Sequence, residues 1–191
     1  MSFYWFSQTI GPGRGLETLA KALSRLQGNW ELHLRGELRS YGVWFDMTFP
    51  AVIRDRIRCL GMVTNADLAA HSASHDVGLA LEEPFCLNKD LTASNKIFEY
   101  LRCGLAVIAT ATQGQMEVMN RCPEAGWVIP PADEEALAAV MQRCLDEREN
   151  LDRTKLAASQ AASGTWAWES FEGSLGRLLL NAAFGDNASA S

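Results

Sequence analysis

Short apolar segments alternate with helical segments along this chain, and that alternation limits the fold more than any other feature. Residues 105–109 form a continuous apolar run, which is typical of a strand buried on both faces of a parallel sheet. Residues 94–102 have helical character, and Gly104 stands where it can end that helix. Repeated strand, helix, strand units predict an α/β fold with a Rossmann-like, doubly wound parallel sheet of about six strands flanked by helices.

The other predicted elements are joined by short connections. The predicted strands lie at residues 3–6, 30–34, 57–61, 77–81, 105–109 and 127–129. The predicted helices lie at residues 16–26, 67–74, 94–102, 115–120, 134–147, 151–162 and 166–181. The sequence therefore predicts one domain over residues 1–184, followed by a small, polar tail at 185–191 that we expect to fray.

Two segments have no clear hydrophobic periodicity, so neither a helix nor a strand is predicted for them. Residues 41–50 are rich in aromatic side chains and are predicted to form a hairpin or a loop with an exposed apolar face. Residues 82–93 are predicted to be a polar loop. Ligands of doubly wound sheets bind beyond the carboxyl ends of the strands. The loops in which we expect a site are 7–14, 61–66, 82–94 and 110–115.

Composition excludes several classes of function. A net charge of −6 over 191 residues gives no electrostatic basis for binding nucleic acid or anionic membranes. No apolar run reaches the roughly 18 residues that a membrane span needs, and the first residues do not resemble a signal peptide. The five cysteines are widely spaced without a C-x-x-C pair, which argues against a disulfide framework or a zinc knuckle. We therefore expect a cytoplasmic domain with reduced thiols.

A glycine-rich loop joins the first predicted strand to the first predicted helix. Gly11, Gly13 and Gly15 would let the backbone approach a ligand, and Arg14 could reach a diphosphate as a forked donor. Their spacing matches neither the G-x-G-x-x-G dinucleotide fingerprint nor the Walker pattern. A tight strand-to-helix turn and a ligand site both remain open for this loop.

A second candidate segment runs from Thr92 into the helix at residues 94–102. Ser94 or Thr92 could cap this helix and leave free backbone amides facing the crevice. Glu99 lies about one turn further on, where its carboxylate could accept hydrogen bonds from the two hydroxyls of a ribose. The alternative for Glu99 is an ion pair with Arg102, three residues later on the helix.

Residues 94–110, SNKIFEYLRCGLAVIAT, resemble the donor-binding signature of family 4 (group 1) glycosyltransferases. Weaker likenesses follow in the family's order and extend the resemblance over nearly the whole chain, at residues 13–17, 57–61, 75–80, 114–118, 126–130 and 168–169. The resemblance implies the GT-B fold, in which two Rossmann-like domains face each other across a cleft. This chain is similar only to the C-terminal domain, which binds the nucleotide sugar.

The resemblance also implies roles for individual residues. Glu99 corresponds to the carboxylate that binds the ribose hydroxyls, and Arg14 to a basic residue that contacts the donor diphosphate. Arg14 and Lys96 would stabilise the charge on the leaving diphosphate, which is a catalytic role. The complete set of implied donor-binding residues is Gly13, Arg14, Thr92, Ser94, Asn95, Glu99 and Gly114. Neither a cofactor nor a metal ion is expected.

The chain departs from the family pattern at two positions. Leu91 stands where the first glutamate of the E-x7-E motif is expected, so the usual carboxylate near the sugar is missing. Gln8 stands at a position where the family has a second basic residue, and Lys96 could compensate for it. These departures suggest either altered or lost activity.

Other polar residues have simpler interpretations. His71 and His75 are four residues apart and could share a helix face like a pair of metal ligands, but they lack a third ligand. His33 lies within a predicted strand, where a structural histidine is expected. Glu82 and Glu83 open the predicted polar loop, where they could contact a sugar hydroxyl, although exposed carboxylates are the more common case in such loops.

The resemblance implies the donor domain of a retaining glycosyltransferase that moves a hexosyl group from a nucleoside-diphosphate sugar to an acceptor hydroxyl. The acceptor site, the general base and any peripheral membrane contact would come from an N-terminal domain that is missing from this chain. We expect the isolated chain to bind donor weakly and to transfer nothing. The alternative is a catalytically silent binding or interaction module, which Leu91 and Gln8 favour. A Rossmann-type enzyme using NAD or another nucleotide is disfavoured by the missing fingerprint.

Overall fold

A computed structural model describes residues 1–184, so the predicted tail at 185–191 lies outside the described residues. Its sheet has six parallel strands in the order β3-β2-β1-β4-β5-β6. These strands are β1 (Ser2–Thr9), β2 (Glu31–Glu37), β3 (Ile57–Cys59), β4 (Val77–Ala80), β5 (Ala106–Thr110) and β6 (Gly126–Ile129). The predicted Rossmann-like α/β fold is thereby confirmed.

Helices connect the strands and cover the sheet. They are α1 (Leu16–Leu23), α2 (Gly42–Thr48), α3 (Ala51–Arg54), α4 (Asn65–Ser72), α5 (Leu87–Leu91), α6 (Asn95–Arg102), α7 (Gln113–Asn120), α8 (Glu134–Asp146), α9 (Arg148–Ser163) and α10 (Glu169–Phe184), with a 3₁₀ turn at Pro123–Ala125. Within the described residues, no helix is both long and apolar enough to cross a membrane.

The sheet is wound in two directions from its centre. The chain proceeds outward from β1 through β2 to β3, then returns to place β4 on the other side of β1. The carboxyl ends of β1 and β4 therefore diverge into loops that leave in opposite directions. This is the topological switch point, where open α/β sheets form a crevice for ligands.

Consecutive residues of β1 contribute to two separate cores. Phe3 and Trp5 are fully buried on one face, in a cluster that includes α1 and α8. Tyr4 lies on the other face with α6, α7 and α9. Because side chains alternate along a strand, one short aromatic segment serves both layers of helices.

Helix α6 lies very close to β4, and this contact positions the candidate site. The ring of Tyr100 packs over Gly78, where any added Cβ atom would collide with it. The Tyr100 hydroxyl donates a hydrogen bond to the carbonyl oxygen of Leu79, at 3.2 Å. Gly104 follows the helix with φ of +69°, a left-handed conformation that glycine adopts without a steric cost. The predicted helix end is therefore confirmed, and the first turn of α6 is held at the switch point.

The expectations for the two segments without a clear period were wrong in part. Residues 42–48 form α2 rather than a hairpin or loop, and α3 begins at Ala51. Phe45 and Phe49 are four residues apart, a spacing that a helix places on one face, and their ring centroids lie 4.8 Å apart. Phe49 is fully buried and ties α2 to the core. The predicted polar loop at 82–93 contains the short helix α5.

Candidate functional site

Two adjoining clefts lie at the switch point, and Phe6, Ser7 and Asn95 belong to both. The first, which we name the lysine cleft, has a volume of about 280 Å³ and is lined by Phe6, Ser7, Glu82, Lys89, Thr92, Ala93, Ser94, Asn95 and Lys96. The second, the arginine cleft, has a volume of about 560 Å³ and is lined by Phe6, Ser7, Gln8, Arg35, Met62, Val63, Asn65, Leu68, Asn95, Glu99 and Arg102.

Glu82 is the polar centre of the lysine cleft. Its Oε1 accepts hydrogen bonds from Lys96 Nζ at 2.8 Å and from Ser94 Oγ at 3.0 Å. Its Oε2 lies 3.4 Å from Lys89 Nζ. Burial alone would raise the pKa of Glu82, but the two lysines and Ser94 outweigh that effect and hold the pKa below its ordinary value. Glu82 is therefore an ionised, buried carboxylate, and its interpretation as an exposed loop residue was wrong.

The backbone of Glu82 is fixed by the neighbouring strand. Its N–H donates to Thr110 Oγ1 at 2.8 Å, and the Thr110 hydroxyl lies 2.8 Å from the carbonyl oxygen of Glu82. Gln115 supports the same hydroxyl by donating from Nε2, at 2.9 Å. These bonds join the end of β4 to the end of β5, so the carboxylate of Glu82 is presented from a rigid edge of the sheet.

The turn between α5 and α6 forms one wall of the lysine cleft. The Thr92 hydroxyl donates to the carbonyl oxygen of Asn88 at 2.6 Å, so Thr92 ends α5. Ser94 caps α6, because its Oγ accepts from the backbone N–H of Lys96 at 3.4 Å. Gly114 is buried directly behind this turn, and a Cβ atom there would collide with the backbone of residues 91–93. Gly114 therefore supports the wall from behind instead of lining the cleft.

The glycine-rich loop is a tight turn that reaches the edge of both clefts. Gly13 and Gly15 have φ of +68° and +75°, and Gly15 packs against the Cβ atom of Leu81. Arg14 is half-buried, and its Nη1 donates to Ser7 Oγ at 3.0 Å. Since Ser7 lines both clefts, the Arg14 guanidinium lies one side chain away from the space a ligand would occupy.

Glu99 faces the arginine cleft from α6. Its side chain is 12% exposed, and its Oε2 accepts from Arg102 Nη2 at 2.7 Å. Its Oε1 has a weaker contact with the thiol of Cys103, at 3.5 Å. The predicted ion pair with Arg102 is therefore present, and it leaves the carboxylate at the surface of the arginine cleft. Binding of a ribose by Glu99 stays a prediction.

Arg35, which no sequence motif indicated, lies in the arginine cleft. Arg35 is 7% exposed; its Nε donates to the Tyr4 hydroxyl at 3.0 Å, and its Nη1 lies 3.3 and 3.4 Å from the carbonyl oxygens of Leu60 and Gly61. The position of Arg35 within a strand was a sequence signal that its side chain could be buried. Its hydrogen-bond partner Tyr4 lies on another strand, so the sequence did not indicate their contact.

The histidines take structural positions. His75 stacks on the ring of Tyr4, and its Nε2 lies 2.7 Å from His33 Nδ1. Burial lowers the pKa of His75. His71 is exposed and lies apart from this pair. In the described part of the chain, no group of three or more His, Cys, Asp or Glu residues could hold a metal ion.

The two departures from the family pattern occupy different places. Gln8 lines the arginine cleft as an uncharged amide. Leu91, where a carboxylate was expected, is 53% exposed at the end of α5. Leu91 is not among the residues that line the lysine cleft, whose buried carboxylate belongs to Glu82.

Comparison with known proteins supports the interpretation of the fold. The sequence profile of the family described as glycosyl transferases group 1 matches residues 4–147. No curated protein sequence matches the chain significantly. Many solved structures share its fold.

Three solved structures illustrate that similarity. A sucrose-phosphate synthase from Thermosynechococcus elongatus has a TM-score of 0.72 and 23% identity, over 95% of this chain and 46% of its own. HepE from Anabaena, in complex with UDP, has a TM-score of 0.77 and 20% identity, over 93% of this chain and 48% of its own. The C-terminal domain of the group 1 protein LpcC from Francisella tularensis has a TM-score of 0.69 and 12% identity, over 87% of each chain.

The chain matches only part of the longer solved structures. The chain spans about half the length of the sucrose-phosphate synthase and of HepE, and most of the single LpcC domain. The family profile covers more than half of the chain, and the six-stranded parallel sheet agrees with it. The chain therefore belongs to the group 1 glycosyltransferases and has the fold of one Rossmann-like domain of a GT-B enzyme.

Proposed function

We propose that this domain binds a nucleoside-diphosphate sugar across the two clefts and presents it for retaining transfer of a hexosyl group to an acceptor hydroxyl. The observation that carries the proposal is the junction of the clefts at Ser7 and Asn95, with Glu99 in one cleft and Lys96 in the other. A diphosphate at this junction would place a nucleoside on one side and a sugar on the other.

The nucleoside fits the arginine cleft. Its volume of about 560 Å³ suits a base and a ribose, and Met62, Val63 and Leu68 provide apolar surface for a flat ring. Glu99 can accept hydrogen bonds from the two ribose hydroxyls while its ion pair with Arg102 holds the carboxylate in place. The HepE structures contain UDP or UDP-glucose, so a protein of this fold holds such a donor.

The diphosphate would meet polar groups at the junction of the clefts. Ser7 and Asn95 line this space, and Arg14 lies behind Ser7. Lys96 and Lys89 share the single carboxylate of Glu82, which leaves a net positive charge in the lysine cleft. Arg14 and Lys96 would stabilise the negative charge that develops on the leaving diphosphate. The proposal includes neither a metal ion nor a cofactor.

The sugar would lie in the lysine cleft. The sugar hydroxyls would lie close to the turn residues Thr92 and Ser94, and the carboxylate of Glu82 could accept a hydrogen bond from one sugar hydroxyl. Glu82 would then provide the carboxylate that Leu91 does not. The acceptor site and the general base would belong to the second GT-B domain, as would any peripheral contact with a membrane. Such an enzyme would act in the cytoplasm.

Calorimetric titration of the domain with UDP, GDP and ADP, beside the variant Glu99→Gln, tests this proposal. We expect weak, saturable binding of at least one diphosphate, reduced about tenfold or more in Glu99→Gln because an amide cannot accept both ribose hydrogen bonds. The matched control is Glu149→Gln, which changes an exposed glutamate of α9 and should leave binding unchanged. If no diphosphate binds at millimolar concentration, the proposal fails in favour of a silent interaction module.

A further inference from the structure

Arg35 is a buried cation in the arginine cleft, and among the described residues it has no anionic partner. Only 7% of the residue is exposed, yet no Asp or Glu of the described residues lies within ion-pair distance of it. Its described acceptors are the hydroxyl of Tyr4 and the carbonyl oxygens of Leu60 and Gly61. A charged side chain is rarely buried this deeply without a carboxylate, which suggests that a missing ligand completes its environment.

One side of the guanidinium remains available. Nε and Nη1 have the contacts given above, and within the described chain no hydrogen bond is formed by Nη2. Arg35 lines the arginine cleft, so a bound molecule can reach this nitrogen. Guanidinium nitrogens only donate hydrogen bonds. The ligand atom that meets Nη2 must therefore be an acceptor.

The surroundings favour a neutral acceptor over a phosphate. The carbonyl oxygens of Leu60 and Gly61 already accept from Arg35, and their partial negative charges would repel an anion placed beside them. The residues that follow them in the same loop, Met62 and Val63, are apolar and line the cleft. The polar junction with Ser7 and Asn95 provides a separate place for the diphosphate. The ligand atom beside Arg35 is thus best assigned to the edge of the base.

We propose that Arg35 selects the base of the donor, favouring one with a carbonyl oxygen at the edge that it faces. Uracil and hypoxanthine-type purines, guanine included, present such an oxygen, whereas cytosine and adenine present an amino group there. An amino group facing Nη2 would place donor against donor and leave a buried charge without an acceptor. This inference rests on the proposed function, because it requires that a nucleotide occupies the arginine cleft.

The test compares pairs of nucleotides that differ mainly at this one position. UDP carries a carbonyl group on its pyrimidine where CDP carries an amino group. IDP and ADP differ in the same way on a purine. We expect the wild-type domain to prefer the carbonyl member of at least one pair by about tenfold or more. In Arg35→Met, which keeps a long apolar side chain, that preference should fall to near unity. Arg58→Met is the control, since it removes an exposed arginine of β3 that lines neither cleft and should keep the preference.

The outcomes separate this inference from the proposed function. Binding of no nucleotide by the wild type would reject the proposed function. Equal binding within both pairs, a preference for the amino member of the pair that binds more tightly, or a carbonyl preference that persists in Arg35→Met would reject the role of Arg35 alone. Thermal unfolding of each variant shows whether the fold is retained. If Arg35→Met does not fold, the wild-type ratios within the two pairs still decide the inference.

Discussion

Asp76 joins three parts of the fold, and its replacement by asparagine should destabilise the domain in a pH-dependent way. One carboxylate oxygen accepts from the backbone N–H of Ser2 at 2.9 Å, at the start of β1. The other lies 3.0 Å from Arg148 Nη2 and 3.1 Å from Lys155 Nζ, both on α9. Burial alone would raise the pKa of Asp76, but the Ser2 amide and the two cations lower it from 3.8 to about 2.

The size of the effect follows from that pKa. A decrease from 3.8 to about 2 corresponds to ~2.4 kcal/mol, at about 1.36 kcal/mol for each unit. Solvent reaches the site, because the Arg148 side chain is 53% exposed, so screening reduces the expected loss to about 1–2 kcal/mol. The pKa is lower in the folded protein, so this stabilisation is complete above pH 3.8 and is lost as pH falls towards 2.

Urea unfolding between pH 7 and pH 3, followed by tryptophan fluorescence, measures the effect. Asp76→Asn should lower the free energy of unfolding by about 1–2 kcal/mol at pH 7, and the difference from wild type should narrow towards pH 3. Asp152→Asn is the matched control, because this aspartate is 63% exposed and lies 3.9 Å from the same Arg148. An equal loss at both pH values, or none at pH 7, would refute the electrostatic argument.

Two further predictions test the packing of the fold. Gly78→Ala should lower the free energy of unfolding by about 3 kcal/mol or more, because the new methyl group collides with the buried Tyr100 ring. Chemical denaturation measures this loss, and an unchanged midpoint would contradict the close approach of α6 to β4. Iodoacetamide at pH 8 should label the exposed Cys86 in the folded protein but Cys144 only after unfolding, because burial raises the pKa of Cys144 to about 12. Peptide mass spectrometry would check this, and rapid labelling of native Cys144 would contradict the described core.

Much of the sheet was predictable because its signals are local. The apolar run at 105–109 and the turn at Gly104 depend on neighbouring residues alone, and β5 and the end of α6 lie where these residues predict them. The same is true of Glu99 and Arg102, whose ion pair follows from helical geometry. The family resemblance of residues 94–110 is likewise a property of one continuous segment.

Other parts of the candidate site depend on residues that the fold brings together. Glu82 belongs to a polar stretch in the sequence, but it is buried because Ser94 and Lys96, more than ten residues later, close over it. Arg35 reaches the hydroxyl of Tyr4 only because β1 and β2 are neighbours in the sheet. Local sequence carries little information about such pairings, since their free energy arises only when distant segments are packed together.

The sequence by itself thus determined the α/β class, the order of most strands and helices, and the segment that carries Glu99. Only the tertiary structure decided that residues 42–48 form a helix, which the buried Phe49 anchors at its end, and that Glu82 and Arg35 are buried charges of the two clefts. The physical reason is the range of the interactions involved. Periodicity and turn propensity act over a few residues, whereas the burial and pairing of a charge depend on every element that surrounds it.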